Sequence, residues 1–340
     1  MKKALWIDTD IGGDCDDAGA LALANIAARK GAVDLLGMTF TTSAPAGPAC
    51  IDAINTYYGN SRIPVGMTDR ERFCCETVNS FQEYVARQYP NRFFCRQENR
   101  FLPAENAVRL IRRGLANAAD DSVTFACIGQ LNNVSDLLDS QPDDLSPLSG
   151  VDLVRQKVRE FAVMGGLFLP DGETVTFCGE SYETEYNIAT DIPSAINFVN
   201  KCSSRIVFCD FLLGYRVLTA GPLLRQNDPN NPVTAAYRIF QNRPRESWDL
   251  LTVLYAIYGT GDLFSISGSG TVTVEPGGKT VFDPTAVGNH YYLRLNVPEK
   301  RCAERIDQML MEGVCYEKKN GSFDSLCAGS HDGAATVVGL

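Results

Sequence analysis

The stretch Asp8-Thr9-Asp10-Ile11-Gly12-Gly13-Asp14-Cys15-Asp16-Asp17 sets five carboxylates in ten residues between an apolar run, Ala4 to Ile7, and an Ala/Leu-rich segment, Asp17 to Ala28. An apolar run, a polar loop with glycines and a helical segment, in that order, open a βαβ unit. The alternation continues with β-prone Val33 to Thr41, a helix over Ile51 to Tyr58 ended by Gly59-Asn60, and a short strand at Ile63 to Gly66. It resumes with a helix over Glu105 to Ala116, a strand over Val123 to Ile128 and a helix starting near Asn133. Phe161 to Met164 and Ile206 to Phe211 read as strands, with Asp191 to Asn200 helical between them. Trp248 to Tyr258 and Glu299 to Met311 read as late helices, and Glu275-Pro276-Gly277-Gly278 marks a small β-hairpin near the C-terminus, flanked by Phe264 to Val274 and Lys279 to Phe282. The pattern predicts an α/β fold. No repeat or linker divides it, so residues 1–340 read as one domain, with 68–100, polar, aromatic and poorly periodic, as an insertion or lid holding a short helix near Phe81 to Arg87.

The 340 residues are 45% apolar and 21% charged, ample for a core, and 41 acidic against 31 basic side chains give a net charge of −10. That balance argues against nucleic acid or an anionic membrane as partner and favours small neutral or cationic ligands. No run approaches the roughly 18 apolar residues of a membrane span. Lys2-Lys3 is followed by an apolar run that stops at Asp8, too short for a signal peptide, so a cytoplasmic protein is expected. The 12 cysteines are scattered, several within strand-like runs (Cys127, Cys209), and read as buried thiols. Cys74, Cys75 and Cys95 are the nearest approach to a redox group.

Carboxylates this dense repel one another unless a cation sits among them, and a glycine-containing turn lets several converge on a hard ion such as Ca²⁺. An Asp at a helix start also serves as a cap, which accounts for Asp16 or Asp17 but not for all five. An EF-hand loop fails, because the residues eleven positions after Asp8 and Asp10 are Gly19 and Leu21. A strand followed by Asp-x-Asp is similar to the haloacid-dehalogenase phosphatases, a less favoured alternative, since Gly12-Gly13 and Asp16-Asp17 do not belong to that pattern.

The segment resembles the opening of the inosine/uridine-preferring nucleoside hydrolases: a strand, Asp-x-Asp-x-Gly-x-Asp-Asp, then an Ala/Leu-rich helix. Here the final pair comes two residues late, on Asp16-Asp17, and Asp14 belongs to the lengthened loop. Gly129-Gln130-Leu131-Asn132-Asn133 resembles the family's Gly-Pro-Leu-Thr-Asn turn, Met164-Gly165-Gly166 its Met-Gly-Gly strand end, Glu185-Tyr186-Asn187 its Glu-Phe-Asn segment, and Trp248-Asp249 its His-Asp at a late helix start. The likeness runs from Trp6 to about Phe282. It implies a Rossmann-like, mostly parallel sheet and hydrolysis of an N-ribosidic bond, with homodimers or homotetramers as the usual assembly.

Carried over residue by residue, the resemblance implies Ca²⁺ held by Asp10, Asp17, the Asn132 carbonyl and Asp249, with Asp10 as the base that deprotonates water. It implies Asp16, Glu185 and Asn187 as ribose contacts and Trp248 on the leaving-group side; Asp8, Asp14 and Glu180 are further candidates. Departures cluster on that side. Trp248 stands where the family has a histidine, Ser43-Ala44 where it has an Asn, and Met67-Thr68-Asp69-Arg70 lacks its His. Both histidines, His290 and His331, read as non-catalytic. Two functions follow: a calcium-dependent ribohydrolase whose leaving group needs little protonation, and a ribose- or nucleoside-binding protein without turnover on the same scaffold.

Overall fold

The computed structural model describes residues 2–71, 73, 80–170, 172–226 and 228–319. The central sheet has nine strands: β1 (Lys3–Thr9), β2 (Val33–Phe40), β3 (Val65–Met67), β4 (Glu105–Asn106), β5 (Val123–Ile128), β6 (Val158–Met164), β7 (Arg205–Cys209), β8 (Phe264–Ile266) and β9 (His290–Leu295). Their order is β8-β9-β7-β6-β5-β1-β2-β3-β4, parallel throughout except for the edge strand β8. This is the mostly parallel α/β sheet expected.

Period-two alternation sorts the side chains onto two cores. Trp6, Phe125, Phe161, Val163, Ile206 and Phe208 face one layer, formed with helices α4 (Ala107–Asn117), α5 (Asn132–Asp139), α6 (Gly150–Lys157) and α8 (Ile192–Lys201); α7 (Tyr186–Thr190) precedes α8. Leu5, Ile7, Ala126, Ile128, Ala162, Met164, Val207 and Cys209 face the other. That layer holds α1 (Asp16–Arg29), α2 (Gly47–Tyr57), α3 (Ser80–Gln88), α11 (Pro232–Phe240), α12 (Trp248–Tyr258) and α13 (Glu299–Lys319), with the short α9 (Phe211–Gly214) and α10 (Gly221–Gln226) at its rim. α1 and α12 are buried on nearly every side, which suits their lack of a polar stripe.

Two readings need correction. Residues 105 and 106 form β4, and the helix begins at Ala107, where Asn106 caps it through Arg109 N–H. Phe264 to Val274 is not one strand: β8 joins the sheet edge, and Thr271–Val274 pairs with Thr280–Asp283 as the hairpin, closed by Glu275 and Lys279. β9, α10 and α11 were not anticipated. α11 carried a legible signal, Asn231 capping Val233 and Thr234 with Pro232 at its first turn. In the 68–100 segment, α3 lies against α2 and α11, and a two-residue hairpin pairs Phe94 with Phe101.

Among the described residues no helix is long and apolar enough to cross a membrane. Eight cysteines are free thiols, among them Cys127 and Cys209, both buried, and Cys95, half-buried; Cys74, Cys75 and His331 lie outside the described residues. His290 sits in β9, four strands from β1, and its Nδ1 accepts from Val272 N–H at 2.8 Å, a structural role.

Candidate active site

In a parallel sheet the loops at the carboxyl ends of the strands meet along one edge. Here that edge gathers Asp10 after β1, Thr41 after β2, Gln130 and Asn132 after β5, Gly165-Gly166 after β6 and Asp210 after β7. α1 and α12 start beside it, each with acids in its first turn.

Asp16 and Asp17 from α1 and Asp249 from α12 bring carboxylate oxygens within 4.8 Å of one another, and all three are buried. Asp17 accepts from Thr9 Oγ1 at 2.5 Å, and Asp16 accepts from Asp249 N–H at 3.1 Å. Burial first, and the neighbouring carboxylates second, hold all three well above the usual carboxylate range. Cys15 is no soft ligand: burial first, then Asp14 and Asp16, push its thiol far up. Oxygen donors alone, crowded and charged, suit a hard cation.

Asp10 is 8% exposed, outside that triad, and its Oδ2 accepts from Gln130 Nε2 at 2.9 Å. Gln130 is held in turn by Thr41, whose hydroxyl donates to Gln130 Oε1 at 2.8 Å. Burial raises the Asp10 carboxyl above its ordinary range, Gln130 pulling the other way. Gly129 makes this approach possible: a Cβ there would lie 2.7 Å from the Asp10 nitrogen and 2.9 Å from Thr41 Oγ1. Gly129→Ala should therefore displace Asp10, and a shift near 1 Å costs about 10²-fold in rate. Activity and melting temperature measured together test this, with activity falling far more than stability.

Asp8 belongs to β1 rather than to the loop. It is fully buried, accepting from Thr39 Oγ1 at 2.6 Å and Asn133 Nδ2 at 2.8 Å, while its Oδ2 lacks a partner. Asn132 is anchored through Nδ2 to the Thr41 carbonyl at 2.8 Å and Thr68 Oγ1 at 3.1 Å, its buried Oδ1 unpartnered. Glu185 caps α7, accepting from Asn187 N–H at 2.8 Å and Ile188 N–H at 3.1 Å, and reaches Gly166 N–H at 3.3 Å. Asn187 donates to the Met164 carbonyl at 3.2 Å. Glu180 stands exposed on the hairpin strand Glu180–Tyr182, accepting from Tyr182 at 3.1 Å.

The lengthened loop has a counter-ion that sequence reading missed. Arg245 Nε donates to both Asp14 oxygens at 2.8 and 2.9 Å, and its Nη1 donates to Glu246 at 2.8 Å. The guanidinium carbon also lies 5.2 Å from the Trp248 ring centroid. Trp248 is no open platform: Phe211 lies against it at 5.2 Å, Phe177 meets it edge-on at 5.5 Å, and its Nε1 donates to the Phe211 carbonyl at 2.8 Å. On the other flank Gln82 of α3 donates to the Ile11 carbonyl, and Gly12, at φ +130°, leaves no room there for a Cβ beside Gln82.

Asp210, also missed, is buried at the end of β7, and burial raises its carboxyl to about 7. Raised above its unfolded value near 3.9, this group costs stability increasingly as pH climbs from about 4 to 7. Asp210→Asn keeps an acceptor for Phe168 N–H, which reaches Asp210 Oδ2 at 3.4 Å. The variant should melt higher than wild type at pH 8 and show little gain at pH 4, as differential scanning calorimetry can record.

The family model described as inosine-uridine preferring nucleoside hydrolase matches residues 5–310. The chain belongs to that family. Nucleoside hydrolases are metal-dependent N-glycosyl hydrolases acting on small riboside substrates, in keeping with the buried acidic triad. Among solved structures, a plant nucleoside hydrolase, the PpNRh1 enzyme, is 16% identical with a TM-score of 0.66, covering 91% of this chain and 99% of its own. The inosine-uridine preferring nucleoside hydrolase of Bacillus anthracis is 17% identical with a TM-score of 0.66, at 92% and 99% coverage. The type III effector XopQ, solved with adenosine diphosphate ribose, is 15% identical with a TM-score of 0.63, at 92% and 94%. At these identities the structures establish the nucleoside hydrolase fold. A comparison with curated proteins found no match.

Proposed function

We propose that this nucleoside hydrolase is calcium-dependent and cleaves the N-ribosidic bond of a nucleoside or related riboside to ribose and free base. The observation that carries the reading is the buried triad Asp16, Asp17 and Asp249 beside Asp10 at the end of β1. Asp17, Asp249, Asp10 and the main-chain carbonyl of Asn132 are the proposed ligands. A calcium ion bound there would supply a more acidic water and a Lewis acid for ribose hydroxyls.

Asp10 takes the water's proton as the water oxygen attacks the anomeric carbon. Gln130 occupies one carboxylate oxygen, which orients the other toward that proton. Asp16 and Asn187 contact ribose hydroxyls. A carboxylate has roughly four acceptor sites, so Glu185 retains capacity for a sugar hydroxyl after its three backbone donors. Carboxylates around the sugar stabilise an oxocarbenium-like transition state, as in O-glycoside hydrolysis. A homodimer or homotetramer is the form carried over from the resemblance.

A second reading, riboside binding without turnover, is favoured by the burial of Trp248 in aromatic packing. Ribose release from inosine, uridine and nicotinamide riboside, in calcium and in EGTA, separates the two. Chelator-sensitive release supports the hydrolase; calcium binding without release from any riboside supports the second reading. Magnesium-dependent phosphate release from phosphomonoesters would support a phosphatase instead.

A further inference from the structure

The leaving group of an ordinary nucleoside departs as an anion and needs a proton, and the described groups packed on Trp248 have none free to give. The indole N–H is spent on the Phe211 carbonyl. Arg245 is always charged and engaged with Asp14 and Glu246. Asp210, next to Phe211 in sequence, is turned to the Phe168 amide. His290 lies at the far strands of the sheet, tied to Val272.

The charge around the same place is one-sided. Asp10, Asp14, Asp16, Asp17, Glu246 and Asp249 are all buried or half-buried there. Arg245 offsets one of them and a divalent cation two, which leaves the acids in the majority. Beside them stand the rings of Phe177, Phe211 and Trp248, and three rings, Phe177, Phe240 and Trp248, already hold a cation, Arg245, at 5.8, 5.3 and 5.2 Å. The aromatic faces are taken by Arg245 and by one another, and it is the excess of carboxylate that favours a positively charged ligand.

We infer that the preferred substrates are N-ribosides whose base carries a positive charge in the substrate and leaves neutral, such as pyridinium or N-alkylated purinium ribosides. This rests on the hydrolase reading above. The water oxygen bonds to C1′ and gives its proton to Asp10. The C1′–N bond breaks, and its electron pair returns to the ring nitrogen, cancelling the ring's charge. No proton is needed on the leaving base, so the lack of a free donor among the described groups packed on Trp248 is no obstacle.

The test uses matched pairs on the wild-type protein in calcium, following free ribose: 7-methylguanosine against guanosine, and nicotinamide riboside against uridine. A general acid contributes about 10²–10⁴-fold, and where none acts the intrinsic lability of cationic ribosides shows undiminished. The cationic member of each pair should therefore exceed the neutral one in kcat/KM by at least about 100-fold. Trp248→His, which offers a titratable donor, should narrow each ratio by raising the neutral member. A smaller ratio in the wild type, with ribose release from the neutral nucleosides, overturns the inference and leaves the hydrolase reading standing. No release from any of the four overturns both.

Discussion

Asp10→Asn should lower the turnover of a hydrolysed riboside by about 10²–10⁴-fold, the range that a positioned general base supplies, without loss of fold. The amide keeps an oxygen for the Gln130 donor that reaches Asp10 Oδ2 at 2.9 Å, so the loop retains its tie to Gln130 and Thr41. What goes is the acceptor for the water's proton. Stability should not fall. Burial holds the Asp10 carboxyl above its unfolded range, so the charged form costs stability as pH rises through and beyond the ordinary carboxylate range, and a neutral isostere removes that cost. Calorimetry at pH 7.5 alongside ribose release separates this outcome from unfolding, in which both would drop together.

Asp249→Asn should act in opposite directions on the metal-free and calcium-loaded protein. In the metal-free state Asp249 is held well above the carboxylate range by burial and by Asp16 and Asp17, and each pKa unit of such a shift corresponds to about 1.4 kcal/mol. Removing the charge should therefore raise the melting temperature in EGTA. With calcium the same change deletes a proposed ligand. Outer-shell partners alone cost 10–100-fold in metal affinity, so a direct ligand should cost at least about 100-fold. Isothermal titration with Ca²⁺ and melting in EGTA give both halves. A variant that melts lower in EGTA and binds calcium as wild type does would show Asp249 to be a structural cap only.

The parallel sheet was legible because β1, β5 and β7 are mostly apolar rather than alternating, as doubly covered strands are. The Asp16-Asp17 pair was legible too, since its spacing from β1 fixes the start of α1. Asp8 misled for a physical reason: nothing local distinguishes a carboxylate at the end of a strand from one in the loop, and its partners Thr39 and Asn133 are remote in sequence. Arg245 could not be read as the counter-ion of Asp14 across 231 positions, and its neighbour Glu246 disguises it as half of a local pair. Gln130 did leave a trace: a polar amide where the family's turn carries proline, between Gly129 and Leu131, needs a partner, and Asp10 and Thr41 provide it. Trp248 was placed correctly at the start of α12, but the rings of Phe177 and Phe211 that cover it come from distant segments.

The most direct test of the account follows calcium binding and ribose release in the same samples of EGTA-stripped wild-type protein as Ca²⁺ is added back, with nicotinamide riboside as substrate. Release should be absent in EGTA and rise in step with one bound calcium per chain. Release that persists unchanged in EGTA, or one equivalent of calcium bound with no ribose released, would contradict the account.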